Sequence, residues 1–305
     1  MPRRDGRHGD RADHGRRPSR RAIVAAGPRG PPAHPANRRG SVVNAHTPWS
    51  THVRRRGVVH VTRAESVYPT LDPGSVSLVI SDGPYGMGKA AWDRQKGPEG
   101  LREWYAPHVE AWGRVCADAA SVYLWGTQRG VRALQPLMEA NGWTWRTSIV
   151  WNRQRTIAAM NPRVRPWADV SESCDFYTRG APFRAKVPGA LMNVWTTSIT
   201  RRDAESIKGP SKTSGAVTWR ALHPCQKPVT FYDRIIRASS RPGDLVLEPF
   251  GGTLRAAVAC EALPDAEARR YVCIEPDEDG RGYVPAALAD LDRRMASPGL
   301  FGGAV

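Results

Sequence analysis

Nowhere do the 305 residues contain a run of about 18 apolar side chains, so the chain offers no membrane-spanning helix. The N-terminus is basic but lacks the apolar core of a signal peptide. Cysteine is scarce and scattered: the five residues at 116, 174, 225, 260 and 273 are odd in number and never spaced C-x-x-C. That pattern excludes a disulfide framework or a cysteine-based zinc site, and it fits a reducing cytoplasm. There is no internal repeat. Acidic residues cluster at Glu275, Asp277, Glu278 and Asp279, yet no histidine accompanies them and the spacing is not that of a calcium loop, so no metal is expected.

Positive charge is abundant, with a net charge of +16 unevenly spread. Residues 1–50 carry 11 basic and 3 acidic side chains, and 151–222 carry 12 and 5, whereas 223–305 carry 10 and 12. A basic block of this kind suits a polyanion partner, and nucleic acid is one such partner. The same arginine excess, set among plentiful Ala, Gly and Pro, is also what a GC-rich coding sequence produces. Residues 1–50 have no apolar periodicity; they are expected to be a disordered basic segment, or a leader upstream of the true start.

From Gly57 onward, strand and helix patterns alternate. Val58–Val61, Val76–Ile80, Ser121–Trp125, Trp143–Trp151, Asp244–Leu247 and Tyr271–Ile274 read as strands. Leu101–Ala117 (interrupted at Pro107), Val131–Ala140, Val229–Ala238, Leu254–Leu263 and Tyr283–Met295 read as helices. Such alternation implies an α/β fold with a doubly wound, mostly parallel sheet. Residues 152–222 lose this periodicity.

Three segments carry candidate chemistry. In SDGPYGMGKAAWD (81–93), Asp82 and the Gly83 carbonyl can accept from an exocyclic amine while Tyr85 lies against a planar base; a plain turn capped by aspartate would use the same residues. In Glu248-Pro-Phe-Gly-Gly-Thr253, two glycines let the backbone approach a ligand, and the helix start beyond offers N–H groups to a carboxylate. Glu275, after the next strand, suits both hydroxyls of a ribose. In His223-Pro-Cys-Gln-Lys-Pro228, Lys227 can meet a ligand carboxylate, and Pro228 opens a helix. The alternatives are a Gly-rich turn for the second segment and a satisfied loop histidine for the third.

The order of the three resembles the amino-directed DNA methyltransferases, which methylate adenine N6 or cytosine N4 using S-adenosyl-L-methionine, in the permuted motif order called the β class. The resemblance spans roughly 57–295 and is most specific from HPCQKP to PFGG. It implies a Rossmann-like methyltransferase fold over 57–295, with 151–222 as a target-recognition insert. It places Asp82, Gly83, Pro84 and Tyr85 on the catalytic D-P-P-Y, and Phe250, Gly251, Gly252 and Thr253 on the cofactor loop F-x-G-S. Glu248 stands for the usual aspartate, Glu275 for the ribose-binding acid, and His223 and Lys227 border the cofactor. Arg153, Arg155, Arg163, Arg165, Arg201 and Arg202, interleaved with Trp151, Trp167, Trp195 and Trp219, are the expected DNA contacts, although these tryptophans also fit a core role. A flipped base and no covalent intermediate follow, with adenine slightly favoured by aspartate at 82. The resemblance also allows a homodimer and a cognate restriction enzyme as partners. Gly83 replaces a proline and Leu254 replaces a glycine of the family pattern. These departures motivate a rival reading, a weak or inactive DNA-binding protein with the same fold. An RNA or protein amide methyltransferase ranks lower, because there the cofactor loop usually precedes the catalytic one.

Overall fold

A computed structural model describes residues 49–88, 93–153, 167, 169–185, 191–196, 208–213, 216–221, 225–277 and 282–296. Its centre is one nine-stranded sheet in the order β1-β2-β11-β10-β3-β4-β6-β5-β7. The strands are β1 (Ser50–Val53), β2 (Gly57–Val61), β3 (Val76–Ser81), β4 (Cys116–Gly126), β5 (Thr144–Asn152), β6 (Ser171–Arg179), β7 (Val194–Thr196), β10 (Leu245–Glu248) and β11 (Arg270–Ile274). β8 (Lys208–Thr213) and β9 (Ala216–Ala221) form a separate antiparallel pair. Pairing is parallel from β2 through to β4 and antiparallel where β6 inserts between β4 and β5.

Helices α1 (Ala64–Val67), α2 (Gly97–Val115) and α3 (Gln128–Ala140) cover one face; α4 (Val229–Ser239), α5 (Arg255–Ala262) and α6 (Tyr283–Ala296) cover the other. The two-residue period of the strands feeds both cores. Tyr123 and Trp125 of β4 and Tyr271 and Cys273 of β11 meet α4–α6, whereas Val122 and Leu124, and Val272 and Ile274, meet α1–α3. Buried on both sides, these strands read as apolar runs rather than alternations.

Two expectations need correction. Pro107 does not interrupt α2. Pro107 and the Glu103 carbonyl it leaves unpaired both lie on the exposed side, where water replaces the lost bond, and the buried stripe Leu101–Tyr105–His108–Val109–Trp112 runs straight past it. Nor is 151–222 an insert throughout. Trp151 and Asn152 are the last two residues of β5, and Ser171–Arg179 forms β6 inside the sheet, with Trp125 opposite Cys174 and Gly126 opposite Ser173. No apolar pattern marks β6 in the sequence, because three of the four residues in its buried run ESCD are polar. Residues 1–48, the bulk of the basic N-terminal segment, lie outside the described residues.

β3 continues through α2 to β4 on one side, while its neighbour β10 continues through α5 to β11 on the other. The sheet therefore changes winding direction between β3 and β10. In open α/β sheets the crevice at the carboxyl ends of such strands is where ligands bind. Asp82 follows β3 and Pro249 follows β10, so the fold sets two of the three candidate segments side by side.

Candidate active site

A cleft of about 640 Å³, counting the space open to solvent at its mouth, lies at this switch point. Asp82, Gly83 and Pro84 line one wall, Phe250 to Thr253 and Glu275 another, and Cys225, Gln226 and Lys227 a third. Trp104 and Tyr232, from α2 and α4, complete it.

The loop after β3 is held by one carboxylate of its own, Asp93. The Asp93 side chain accepts from the N–H groups of Tyr85 at 2.8 Å, Gly86 at 2.6 Å and Met87 at 3.1 Å. Its carbonyl accepts from Gly88 N–H at 2.7 Å. Four backbone donors that would otherwise need water are thus gathered on one residue, which fixes the loop's curvature.

At the centre, Lys227 is 1% exposed, and its ammonium donates to both Asp82 oxygens at 2.8 and 2.9 Å and to the Tyr85 hydroxyl at 2.8 Å. Tyr85 donates to Asp82 at 2.7 Å. Glu172 of β6 lies 3.1 Å from the same ammonium. Burial alone would lower the lysine's pKa, but the carboxylates of Asp82 and Glu172 outweigh it and keep the ammonium charged. Burial raises the Asp82 pKa, against the pull of Lys227. Lys227, expected to wait for a ligand carboxylate, is instead engaged by the protein's own.

Gly83 is confined rather than loose. A Cβ there would stand 2.5 Å from the Tyr105 hydroxyl and 2.8 Å from the Phe250 ring. Gly251 is similarly close-packed: a Cβ would meet Leu254 at 3.0 Å and the Ile274 carbonyl at 3.3 Å. Leu254 itself has φ 57°, ψ 43°, the left-handed conformation that explains a glycine in the family pattern.

Glu248 corrects another expectation. It is fully buried and does not line the cleft; it lies beneath the loop, accepting from Ala256 N–H at 3.1 Å and from the Cys273 thiol at 3.1 Å. The first turn of α5, expected to present its donors to a ligand, thus gives one of them to Glu248. Burial pushes the Glu248 carboxyl up to about 8. Glu275 does face the cleft, and it accepts from Gly252 N–H at 2.8 Å. Arg153, expected on DNA, turns inward to pair with Glu172 and packs over Trp151 at 4.9 Å. Trp151 and Trp195 belong to the core, whereas Trp167 is 82% exposed. His223, Arg155, Arg163, Arg165, Arg201 and Arg202 lie outside the described residues.

Glu172, Trp104 and Tyr105 were absent from the sequence reading of the site. Glu172 had no signal, because Lys227 and Tyr85 lie 55 and 87 positions from it in sequence, brought close by strand pairing.

The DNA methylase family model matches residues 76–280, two thirds of the chain. The chain belongs to this N6/N4 DNA methylase family. The matched span begins at β3 and ends just past β11, so it contains the whole cleft. Among curated relatives, this DNA methylase is 22% identical over 248 residues to the Type II methyltransferase M2.DpnII of Streptococcus pneumoniae, covering 73% of this chain and 84% of that one. It is 40% identical over 70 residues to the DNA adenine methyltransferase YhdJ of Escherichia coli strain K12, covering 23% and 21%. Among solved structures, the cytosine-N4-specific PvuII DNA methyltransferase superposes with a TM-score of 0.57 at 15% identity, covering 81% of this chain and 94% of that one. The M1.HpyAVI–SAM complex superposes with a TM-score of 0.51 at 17% identity, covering 76% and 98%. These likenesses make the fold of this methylase the Rossmann-like methyltransferase fold.

Proposed function

We propose that this DNA methylase uses S-adenosyl-L-methionine to methylate the exocyclic amine of a base flipped out of double-stranded DNA, with adenine N6 as the target. The observation that carries the reading is the single cleft shared by Asp82–Pro84 and Phe250–Thr253 with Glu275.

The cleft suits the cofactor. Gly251 leaves no room for a side chain, so backbone lines the wall there. Phe250 and Trp104, 5.1 Å apart, present rings to a purine, and Glu275 presents a carboxylate to a ribose diol. When bound, S-adenosyl-L-methionine supplies a methyl group on a positively charged sulfur. The protein's residues hold and polarise the amine. Asp82 and the Gly83 carbonyl accept its two N–H groups, orienting the nitrogen lone pair and stabilising the positive charge that develops there. Asp82 Oδ2 then holds the proton the amine sheds. Stacking on Tyr85, on the order of 1–3 kcal/mol, offsets part of the unstacking of the base. Much of the remaining acceleration comes from proximity.

Asp82, in place of serine, and the adenine-specific name of YhdJ support adenine. The second reading is cytosine N4, because a fold shared with an enzyme named cytosine-N4-specific does not choose between the two bases. Part of the block 151–222 serves target recognition in this reading, supported by its net charge of +7 and by exposed Trp167, Leu191 and Met192. The Type II names of relatives suggest a restriction–modification setting with a cognate restriction enzyme.

The test is a labelled methyl-transfer assay on mixed-sequence duplex DNA, digested to nucleosides and read by mass spectrometry. N6-methyladenine from the wild type, and none from Asp82→Ala, is expected. N4-methylcytosine would move the assignment to the other base, and no methyl on either would sink the enzymatic reading.

A further inference from the structure

Glu172 lies on β6, outside all three motifs, yet it touches three residues of the site. Oε2 is 3.1 Å from the Lys227 ammonium and 3.3 Å from the Tyr85 hydroxyl oxygen, whose one proton goes to Asp82. Oε1 pairs with Arg153. The side chain is 4% exposed, and a carboxylate so deeply buried persists only where its charge is matched.

We propose that Glu172 is a positioning residue for methyl transfer: it shares the charge of Lys227 with Asp82, so that the Asp82 carboxylate keeps negative charge and acceptor capacity for the target amine. The proposal rests on the amino-methyltransferase reading above. Lys227 occupies both oxygens of Asp82, and the Tyr85 hydroxyl occupies Oδ1 a second time. A carboxylate has about four lone-pair sites, so the incoming amine competes for what is left. The amine nitrogen becomes positive as its bond to the methyl carbon forms, and an ammonium bound to the same carboxylate opposes that charge. Glu172 gives the ammonium a second anion. Asp82 and Glu172 then balance Lys227 and Arg153 one for one. Without Glu172, two cations and one carboxylate remain, and the field at the amine turns positive in a site where water does little screening.

Glu172→Gln keeps the size of the side chain and removes its charge. With saturating DNA and cofactor, kcat is expected to fall at least tenfold, while cofactor Kd stays within twofold and Tm within a few degrees. Glu172→Asp, which keeps the charge, is expected to recover most of kcat. Undiminished kcat in Glu172→Gln overturns the proposal. So does a loss that Glu172→Asp shares in full, or one accompanied by lost cofactor binding, because a merely structural carboxylate would behave that way. If Glu172→Gln does not fold, Lys227→Gln with and without Glu172→Gln carries the test, since the pair leaves no unmatched buried ammonium. There the second change is expected to cost less than threefold, and a further tenfold loss overturns the proposal. Wild type and Asp82→Ala run alongside. No transfer by the wild type sinks the enzymatic reading itself, whereas transfer by the wild type and equally by Glu172→Gln sinks only the role of Glu172.

Discussion

At the scale of single residues, the two departures from the family pattern have different physical meanings. Gly83, read from the sequence as a loosened proline, is enclosed by Tyr105 and Phe250 where a Cβ would stand. Gly83→Ala is therefore expected to overpack the cleft wall, costing about 1–3 kcal/mol of stability and reducing methyl transfer. Tyr105→Phe, which removes the hydroxyl 2.5 Å from that Cβ, is expected to return part of the loss in the double variant. Denaturant melts and the transfer assay check both; an alanine variant as stable and active as wild type would remove the packing argument. Leu254 is the converse. Its left-handed backbone costs roughly 1–2 kcal/mol, but its side chain is fully buried, and a buried leucine is worth about 2–5 kcal/mol against alanine. Packing outweighs strain, so the leucine is tolerated where the pattern has glycine.

At the scale of elements, the loop after β10 is anchored from below by Glu248, which joins α5 to β11 through Ala256 and Cys273. Its carboxyl is pushed from 4.5 up to about 8 by burial. Between those values the folded protein holds a proton that the unfolded chain has released. The neutral acid's contribution is present below pH 4.5, and stability falls as pH rises towards 8, by up to about 1.4 kcal/mol per pH unit, then levels off. Glu248→Gln has no proton to lose. Its Tm is expected to decline less than that of wild type between pH 5 and pH 8, measured by thermal melts at matched ionic strength. Parallel declines in the two proteins would show that Glu248 ionises without consequence. The family resemblance set Glu248 among the cofactor contacts, in the place of the usual aspartate. Nothing in the one-dimensional pattern told which way its side chain turns.

At the scale of the whole molecule, charge and fold separate. The net charge of +16 is concentrated outside the cofactor half: residues 223–305 carry more acidic than basic side chains. Counterion release makes binding to duplex DNA salt-dependent, with a slope of about −0.9 per phosphate neutralised. Removing residues 1–48, which carry 11 basic and 3 acidic side chains, is expected to flatten that slope and weaken DNA binding at low salt, while cofactor affinity stays unchanged. Fluorescence anisotropy across a salt series, with calorimetry for the cofactor, reads both. An unchanged slope would mean that these arginines do not contact phosphate.

The sequence by itself determined the doubly wound architecture, because each buried parallel strand is a short apolar run and α2, α3, α4 and α6 each carry an apolar stripe, both set by local periodicity. It also determined the two chemical ends of the site, since Asp82 and the Phe250–Thr253 loop follow strands directly and ride on their carboxyl ends. Only the tertiary structure decided what those ends touch. β6 enters the sheet through antiparallel pairing across a stretch without apolar pattern, and this brings Glu172 to a lysine 55 residues downstream. Arg153 turns towards that carboxylate, Lys227 towards Asp82, and Glu248 beneath its loop. Each of these pairings balances a buried charge or polar group against a partner distant in sequence. Such a balance depends on burial and distance, which no spacing of residues along the chain records.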